Sequence, residues 1–252
     1  MICESGAPLV SAVVTFHGEG LLAHKSLLGL ERLRVFAESR GILVELIAVL
    51  DFADSETTRV VSSSPVIRAN DKVIKVCNAD PGISRNSGIS IASGKYISIF
   101  DGDDFYSETW ICKALEVSLC KIGSVIVHPE HTVSFGAVHA VSEVWDMDDN
   151  KNYSLANAFT LHPWISCSFG EKDLYIKSPY QRADTKTTGF GYEDWHWNLE
   201  LISQGVRHVT AKETALYYRT KLSSRFTDQN GSKSILRPSN FFNQTKKWLA
   251  HY

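Results

Sequence analysis

Four apolar runs rich in β-branched residues alternate with segments of helical character in the first 120 residues of the chain. The apolar runs occupy residues 9–16, 42–50, 72–77 and 95–100. The segments with helical spacing or helix-start signals cover about residues 24–39, 54–63, 80–92 and 107–120. This alternation predicts an α/β fold in which a mainly parallel sheet is covered by helices on both faces, an architecture typical of nucleotide-binding domains.

The second half of the chain has a weaker pattern. Short strands are predicted at residues 123–128, 173–176 and 214–218, and a Trp-rich helix is predicted at about 192–204. The polar stretch 145–153 is predicted to be a loop. We therefore expect a second half that is less regular than the first.

An unusual density of negative charge follows the fourth apolar run, in the sequence KYISIFDGDD, at Asp101, Asp103 and Asp104. Ligands bind beyond the carboxyl ends of strands in open parallel sheets, where this turn lies. Adjacent carboxylates raise one another's pKa or recruit a cation, and oxygen ligands suit Mg²⁺ or Mn²⁺. An ordinary solvated turn also fits these residues. Polar residues at two other strand ends, Thr15 and Asp51, favour the binding site.

Composition and charge exclude several function classes. The chain has 252 residues, 44% of them hydrophobic, and 26 basic residues nearly balance 28 acidic ones. This balance gives no broad cationic surface for nucleic acid, and no apolar run approaches the roughly 20 residues that span a bilayer. The five cysteines include no C-x-x-C pair. They are typical of reduced thiols in a cytoplasmic protein.

Three motifs lie in order along the chain, at residues 78–104, 189–205 and 215–224, and together they resemble family 2 glycosyltransferases of the GT-A fold. The sequence NADPGISRNSGISIASGKYISIFDGDD, residues 78–104, resembles a helix with R-N-x-G followed by a strand and a D-x-D-D turn. Residues 189–205, GFGYEDWHWNLELISQG, resemble G-G-F-x-x-x-E-D-x-x-L, and residues 215–224, ALYYRTKLSS, resemble Y-x-R-x-x-x-S. The resemblance implies a GT-A, Rossmann-like fold: a mainly parallel sheet flanked by helices, with a smaller, irregular acceptor-binding half.

The resemblance also suggests how the chain is organised. We expect a single GT-A domain over residues 1–252, with a nucleotide-sugar-binding half at about 1–122 and an acceptor-binding and catalytic half at about 123–225. Residues 226–252 would form a C-terminal extension, which could lead into a further domain of a longer chain.

The acidic turn acquires a specific role from the resemblance. Asp103 would be a direct ligand of Mn²⁺ or Mg²⁺, with Asp101 as a second ligand that lies closer to the ribose of the donor, and Asp104 could assist. The ion would neutralise the charge that grows on the diphosphate as it leaves. His196 and His208 are candidates for a third metal ligand, although a packed or surface position fits either of them equally.

The resemblance implies that residues at the strand ends recognise the donor nucleotide. Thr15, Phe16 and Asp51 match the positions that face the nucleobase. A buried strand end would explain Thr15 and Phe16 without any ligand. The sequence DFAD departs from the family pattern, so Asp54 is an alternative to Asp51.

The resemblance also implies that basic residues contact the nucleotide and the diphosphate of the donor. Arg85 matches the R-N arginine that holds the nucleotide, and it could equally bridge its helix to the acidic turn. Arg219 and Lys221 could reach the diphosphate from the closing loop, with Ser223 and Ser224 near them. A solvated basic loop is the alternative for this last segment.

The start of the Trp-rich helix supplies the catalytic prediction. Asp194 is the predicted general base, which takes the proton of an acceptor hydroxyl, and Glu193 is the fallback. Adjacent residues on a helix diverge by about 100°, so only one of the two can face the acceptor. Both could instead complement the helix dipole. Trp195 is the predicted platform for the acceptor sugar, whereas Trp197 fits core packing better.

The resemblance implies an inverting, metal-assisted glycosyltransferase of hexosyl type. Its donor would be a UDP-, dTDP- or GDP-sugar, and its acceptor a hydroxyl of a glycan or lipid-linked saccharide in polysaccharide biosynthesis. We expect no nucleic-acid partner and a cytoplasmic location, with possible peripheral association at the inner face of the membrane. A nucleotidyltransferase and a non-catalytic carbohydrate-binding module of an assembly complex stay as alternatives.

Overall fold

The computed structural model describes residues 6–149, 158, 161–221, 231 and 233–244. Its strands are β1 (Val10–Phe16), β2 (Val44–Asp51), β3 (Lys72–Val76), β4 (Tyr96–Asp101), β5 (Phe105–Tyr106), β6 (Val125–Gly136), β7 (Ala140–Glu143), β8 (Ser168–Glu171), β9 (Phe190–Gly191), β10 (Arg207–Thr220) and β11 (Ile235–Leu236). Its helices are α1 (Leu22–Glu38), α2 (Ser55–Ser62), α3 (Pro81–Ser90), α4 (Trp110–Cys120), α5 (Lys172–Lys177), α6 (Thr185–Thr188), α7 (Glu193–Ser203) and α8 (Asn240–Asn243).

One sheet runs through both halves of the sequence. Strands β3, β2, β1 and β4 are parallel neighbours in that order, and β8 lies antiparallel between β4 and β6. Strand β10 continues the sheet parallel to β6, β5 pairs with β10, and β7 pairs with β6. The mainly parallel α/β fold is therefore confirmed. The strand order reverses between β1 and β4, which creates a crevice at their carboxyl ends.

Helices cover both faces of the sheet, and each face has its own hydrophobic core. The first core contains Leu27 of α1 and Trp110 of α4, both buried. The second contains Ile89 of α3 and Trp197 of α7. Strands β1, β2 and β4 are buried at nearly every position and mostly apolar, because both faces of the sheet are covered, and this explains why they read as apolar runs in the sequence.

Helix α3 packs unusually close to the sheet. Its N-terminus is capped by Asp80, whose Oδ1 accepts a hydrogen bond from the amide of Ile83 at 3.0 Å, and Pro81 occupies the first turn. A Cβ atom at Gly88 would lie 2.5 Å from the side chain of Val13, so a residue larger than glycine would push the helix away. This close packing holds Arg85, on the same helix, at the ends of the strands.

One predicted strand is wrong. Residues 173–176 belong to helix α5, and the strand at this place is β8, which precedes them. Asp173 in the first turn and Lys177 in the last complement the helix dipole, and their charged groups lie 3.8 Å apart. Tyr175 supplies most of the buried apolar surface of α5, so the pattern that suggested a strand reflects one anchoring ring.

The remaining long elements lie where the sequence predicts them. The predicted strand 214–218 is the end of the longer β10, whose register shifts between Ala211 and Ala215. Residues 145–149 form turns and irregular structure as predicted, while 150–153 lie outside the described residues. Within the described part of the chain, no helix is both long and apolar enough to cross a membrane.

Candidate active site

A cavity of about 820 Å³ opens where β1 and β4 end. Thr15 of β1 is the register partner of Asp101 of β4, so two strand ends meet at this opening. The predicted site residues that line the cavity are Thr15, Asp51, Arg85, Asp101, Asp103, Glu193, Asp194 and Trp195. The acidic turn and the start of α7, which are distant in sequence, therefore face the same space.

The guanidinium of Arg85 joins the two carboxylate motifs. Its Nη2 lies 3.1 Å from Oδ1 of Asp101, and its Nη1 lies 3.3 Å from Oε1 of Glu193. The group also lies over the ring of Tyr180. Burial disfavours its charge, but Asp101 and Glu193 outweigh burial and raise the pKa of Arg85 above its ordinary value. Arg85 thus stays ionised and neutralises one carboxylate of each motif.

The other two carboxylates of the acidic turn have different partners. Asp103 pairs with the ammonium group of Lys221 at 2.6 Å. Asp104 is buried and accepts a hydrogen bond from the backbone amide of Arg219 at 2.7 Å. Burial, reinforced by the charges of Asp101 and Asp103, raises the pKa of Asp104 well above its ordinary value. Asp103 and Asp101 are accordingly the carboxylates of the turn that line the cavity.

Arg219 lies behind the acidic turn and is not part of the cavity wall. Its guanidinium packs on the ring of Phe135 at 4.7 Å, and its Nε donates to the backbone carbonyl of Asp103 at 3.2 Å. This placement does not support the predicted contact of Arg219 with a donor and indicates that the side chain supports the turn. Ser223 and Ser224, predicted beside it, lie outside the described residues.

Phe16 is a core residue and does not line the cavity. Its side chain is 1% exposed, and the chain at Gly102 passes so close that a Cβ atom there would lie 2.4 Å from the ring. Successive side chains of a strand point to opposite faces, so Thr15 and Phe16 cannot both face a ligand. The predicted contact of Phe16 with a nucleobase is therefore not supported, and the ring instead shapes the acidic turn.

The start of α7 separates its two acidic side chains. Tyr192, just before the helix, has a left-handed backbone (φ 59°). Glu193 then pairs with Arg85, while Asp194 accepts a hydrogen bond from the amide of Trp195 at 2.9 Å. Burial raises the pKa of the Asp194 carboxyl, and the charge of Arg85 only partly opposes this. Asp194 therefore has the higher proton affinity that suits a base, whereas Glu193 is occupied by its ion pair.

The structure distinguishes Asp51 from Asp54. The carboxylate of Asp51 lines the cavity and accepts hydrogen bonds from three successive backbone amides, residues 78–80, at 2.8–3.1 Å. Asp54 caps α2 through the amide of Thr57 at 2.6 Å and is not among the lining residues. Asp51 thus fixes the loop that leads into α3, and through it the position of Arg85.

Sequence reasoning missed several residues of the cavity wall: His17, Glu19, His162, Ser166 and Tyr218. His17 and Glu19 directly follow β1, so extending the search past the strand end would have found them. Ser166 donates a hydrogen bond to Asp101, next to the contact with Arg85. It lies with His162 in a segment that has no regular apolar spacing, and no sequence signal identifies either residue.

The two histidines considered as metal ligands do not face the acidic turn. His208 is buried, its Nδ1 lies 2.9 Å from Nε2 of His128, and its ring packs on Trp164. His196 is also buried and lines a separate pocket with Glu200. Burial lowers the pKa of both His196 and His208, which makes them neutral packed residues.

The acidic turn fits a divalent ion only in part. Asp101 and Asp103 present carboxylate oxygens, the ligands that Mg²⁺ and Mn²⁺ prefer. Among the residues that the structure describes, no group of three or more His, Cys, Asp or Glu side chains could hold a metal ion. A divalent ion at this turn would therefore need further oxygen ligands from a bound molecule, and a diphosphate would supply them.

Comparisons with solved structures agree with this architecture. A structure of S. aureus TarS residues 1–349 in complex with UDP-GlcNAc aligns with a TM-score of 0.65 and 15% identity, over 93% of this chain and 63% of that one. The mannosyltransferase PcManGT from Pyrobaculum calidifontis, in complex with GDP-Man and Mn²⁺, aligns with a TM-score of 0.59 and 12% identity, over 88% and 60%. The chain thus spans less than two thirds of either structure, and likeness at this identity shows the fold alone.

Sequence comparison is more specific than structural likeness here. No curated protein matches the chain significantly. Residues 11–182 match the family described as Glycosyl transferase family 2, which is more than half of the chain and includes the acidic turn. The chain therefore belongs to glycosyl transferase family 2.

Proposed function

We propose that this chain is an inverting, metal-assisted glycosyltransferase of hexosyl type, which moves a sugar from a nucleoside diphosphate to a hydroxyl of a glycan or lipid-linked acceptor. The observation that carries the proposal is the position of Asp194. Its side chain is only 20% exposed, its carboxyl has a raised pKa, and it lines the same cavity as the acidic turn. Family membership supports the reaction class, and the UDP-GlcNAc and GDP-Man in the neighbouring structures support a nucleotide-sugar donor.

The donor would lie along the ends of the strands. Its nucleoside would be held near Thr15 and Asp51, and its diphosphate would lie at Asp101 and Asp103. Mn²⁺ or Mg²⁺, held by Asp103 with Asp101, would supply positive charge that stabilises the departing diphosphate. Lys221, which pairs with Asp103, lies where its ammonium group could contact the same phosphates.

Asp194 would perform the proton transfer. Its carboxylate accepts the proton of the acceptor hydroxyl while the hydroxyl oxygen bonds to the anomeric carbon and the bond from that carbon to the diphosphate oxygen breaks. The electron pair of the broken bond leaves with the nucleoside diphosphate. A single displacement inverts the anomeric configuration, and the ion pair of Glu193 with Arg85 supports a mechanism without a second nucleophile.

The cellular setting stays a prediction: one catalytic domain in the cytoplasm, acting in polysaccharide synthesis, with possible peripheral contact at the inner face of the membrane. The acceptor would enter on the side of Trp195 and Leu161, which line the cavity beside Asp194.

The test is a product assay on the purified chain. A panel of UDP-, dTDP- and GDP-sugars with Mn²⁺ is first screened by thermal shift, because a ligand selective for the folded state raises its melting temperature. Stabilising donors are then incubated with saccharide acceptors, and products are analysed by mass spectrometry and by the anomeric coupling constant in ¹H NMR. We expect free nucleoside diphosphate and a glycoside of inverted configuration. Release of pyrophosphate in a parallel reaction with a nucleoside triphosphate and a sugar 1-phosphate, without transfer from any nucleotide-sugar, would indicate a nucleotidyltransferase and would refute the proposal.

A further inference from the structure

His162 is held against the indole of Trp195 on the cavity wall. The two rings are stacked, with centroids 5.5 Å apart and planes 11° from parallel. The indole N–H of Trp195 donates to the carbonyl of Ala158 at 2.8 Å, which fixes the orientation of the stack. The predicted sugar platform, Trp195, therefore uses one face of its ring to support an imidazole.

The Nε2 atom of His162 points toward the predicted base. It lies 3.9 Å from Oδ1 of Asp194. It is buried and has no hydrogen-bond partner in the structure. A distance of 3.9 Å is too long for a direct hydrogen bond, which spans about 2.7–3.2 Å. A single oxygen could contact both atoms if the two side chains move slightly apart, because Nε2 as it stands is closed to solvent.

The imidazole of His162 is uncharged near neutral pH. Burial lowers the pKa of His162 to about 3, so the ring does not form a strong ion pair with Asp194. The charged groups nearest this pair are Arg85, Glu193 and Asp101, and Arg85 is already shared between those two carboxylates. A neutral ring with an unsatisfied buried nitrogen beside a carboxylate calls for a polar ligand atom.

We propose that His162 is an acceptor-orienting residue, whose Nε2–H and the carboxylate of Asp194 together hold one acceptor hydroxyl. The inference rests on the proposed function. The hydroxyl proton points to Oδ1 of Asp194, and the imidazole N–H donates to one lone pair of the hydroxyl oxygen. The other lone pair stays directed at the anomeric carbon. As the proton moves to Asp194, the N–H group stabilises the negative charge that develops on the oxygen.

The experiment compares three substitutions of His162 with a matched control. His162→Phe keeps a ring on Trp195 but removes the nitrogen, His162→Asn stays polar but cannot reach the hydroxyl, and His162→Gln restores an N–H donor near the position of Nε2. The control is His131→Gln, a half-exposed histidine on β6 near Glu130. For each variant we would measure kcat and KM for the acceptor, donor affinity by calorimetry, and the melting temperature.

We expect His162→Phe and His162→Asn to lower kcat/KM for the acceptor at least tenfold while donor affinity changes less than twofold. His162→Gln should recover a substantial part of the loss, and His131→Gln should match the wild type. Wild-type acceptor kinetics in both the Phe and Asn variants, or equal losses in all three variants, would overturn the inference. Parallel loss of donor affinity would also overturn it. Absence of transfer by the wild type would refute the proposed function itself.

Discussion

Two pairs of carboxylates line the cavity, and their electrostatic environments differ. The pair on the acidic turn, Asp101 and Asp103, has a cation for each member: Arg85 and Lys221. In the pair on α7, Glu193 shares Arg85, while the nearest basic side chain to Asp194 is an imidazole with a pKa of about 3. The acidic turn thus has Lys221 to itself and a share of Arg85, whereas the pair on α7 has only its share of Arg85.

The difference agrees with the two tasks that we propose for these motifs. Carboxylates that are paired with cations can exchange one cation for another, as binding of a metal-bound diphosphate requires. A buried carboxylate without a full partner has a raised proton affinity, which suits a general base. Arg85 belongs to both pairs, so it links the geometry of the acidic turn to that of α7.

Removing the base should have the largest effect. Asp194→Asn keeps the size of the side chain but cannot accept a proton, and we expect transfer to fall by roughly 10²- to 10⁴-fold, the usual contribution of a general base. Donor affinity should stay within a few fold, measured by calorimetry. The control is Asp173→Asn, an exposed residue of α5. If transfer persists in both Asp194→Asn and Glu193→Gln, the base lies elsewhere.

Breaking the shared cation should destabilise both pairs. Arg85→Met leaves two carboxylates without their buried partner, and we expect a loss of about 3–5 kcal/mol in the free energy of unfolding. The measurement is urea denaturation. Adding Glu193→Gln to Arg85→Met should restore part of the stability, because it removes one uncompensated charge. Arg207→Met, at an exposed ion pair with Asp148, should cost less than about 1 kcal/mol. Equal losses in the Arg85 and Arg207 variants would contradict the bridge.

Neutralising the acidic turn should affect donor binding more than folding. We expect Asp103→Asn to lower Mn²⁺-dependent donor affinity at least tenfold, since even indirect partners of metal ligands typically contribute about 10- to 100-fold. Affinity would be measured by calorimetry with and without Mn²⁺, with Asp148→Asn as the surface control. An unchanged Mn²⁺ dependence in Asp103→Asn would separate this turn from the metal.

The pH dependence of transfer should show the smallest effect but identify the base directly. Burial raises the pKa of Asp194 above the ordinary value of 3.8, against the opposing charge of Arg85. Asp194 is protonated below its raised pKa and cannot accept a proton, so kcat should fall as the pH decreases through that value. We expect the acid limb of kcat at a pH above 3.8, and its absence from the residual activity of Asp194→Asn. An acid limb that survives in Asp194→Asn would assign it to another group.

Much of this site could be predicted from sequence because strand ends and helix starts have local signals. The run before Asp101 is apolar at successive positions, and Glu193 and Asp194 begin a helix, so both motifs could be placed on their elements. Thr15 and Phe16 could not be told apart, because a strand buried on both faces shows no alternation.

Other features depend on tertiary contacts that leave no pattern in the sequence. Arg219 lies near the end of β10, where the sequence suggests a contact with the donor. Its guanidinium instead packs on the ring of Phe135 and does not line the cavity. His162 and Ser166 lie in an irregular segment, and only the folded chain brings them to Asp194 and Asp101. The sequence predicts a strand at helix α5, because a six-residue helix with one buried ring has too few positions to show helical spacing.

Two strand pairings affect how the chain can fold during synthesis. Strand β8 lies between β4 and β6, and β5 pairs with β10. The central strand β4 cannot complete its hydrogen bonds until β8 has left the ribosome. Likewise, Tyr106 of β5 cannot pair with β10 until Leu216 has been synthesised. At common rates of translation this delay is on the order of ten seconds. During that time the nascent first half exposes an unpaired strand edge to other chains. We therefore expect the yield of folded protein in cells to depend on chaperones more than the stability of the folded state would suggest.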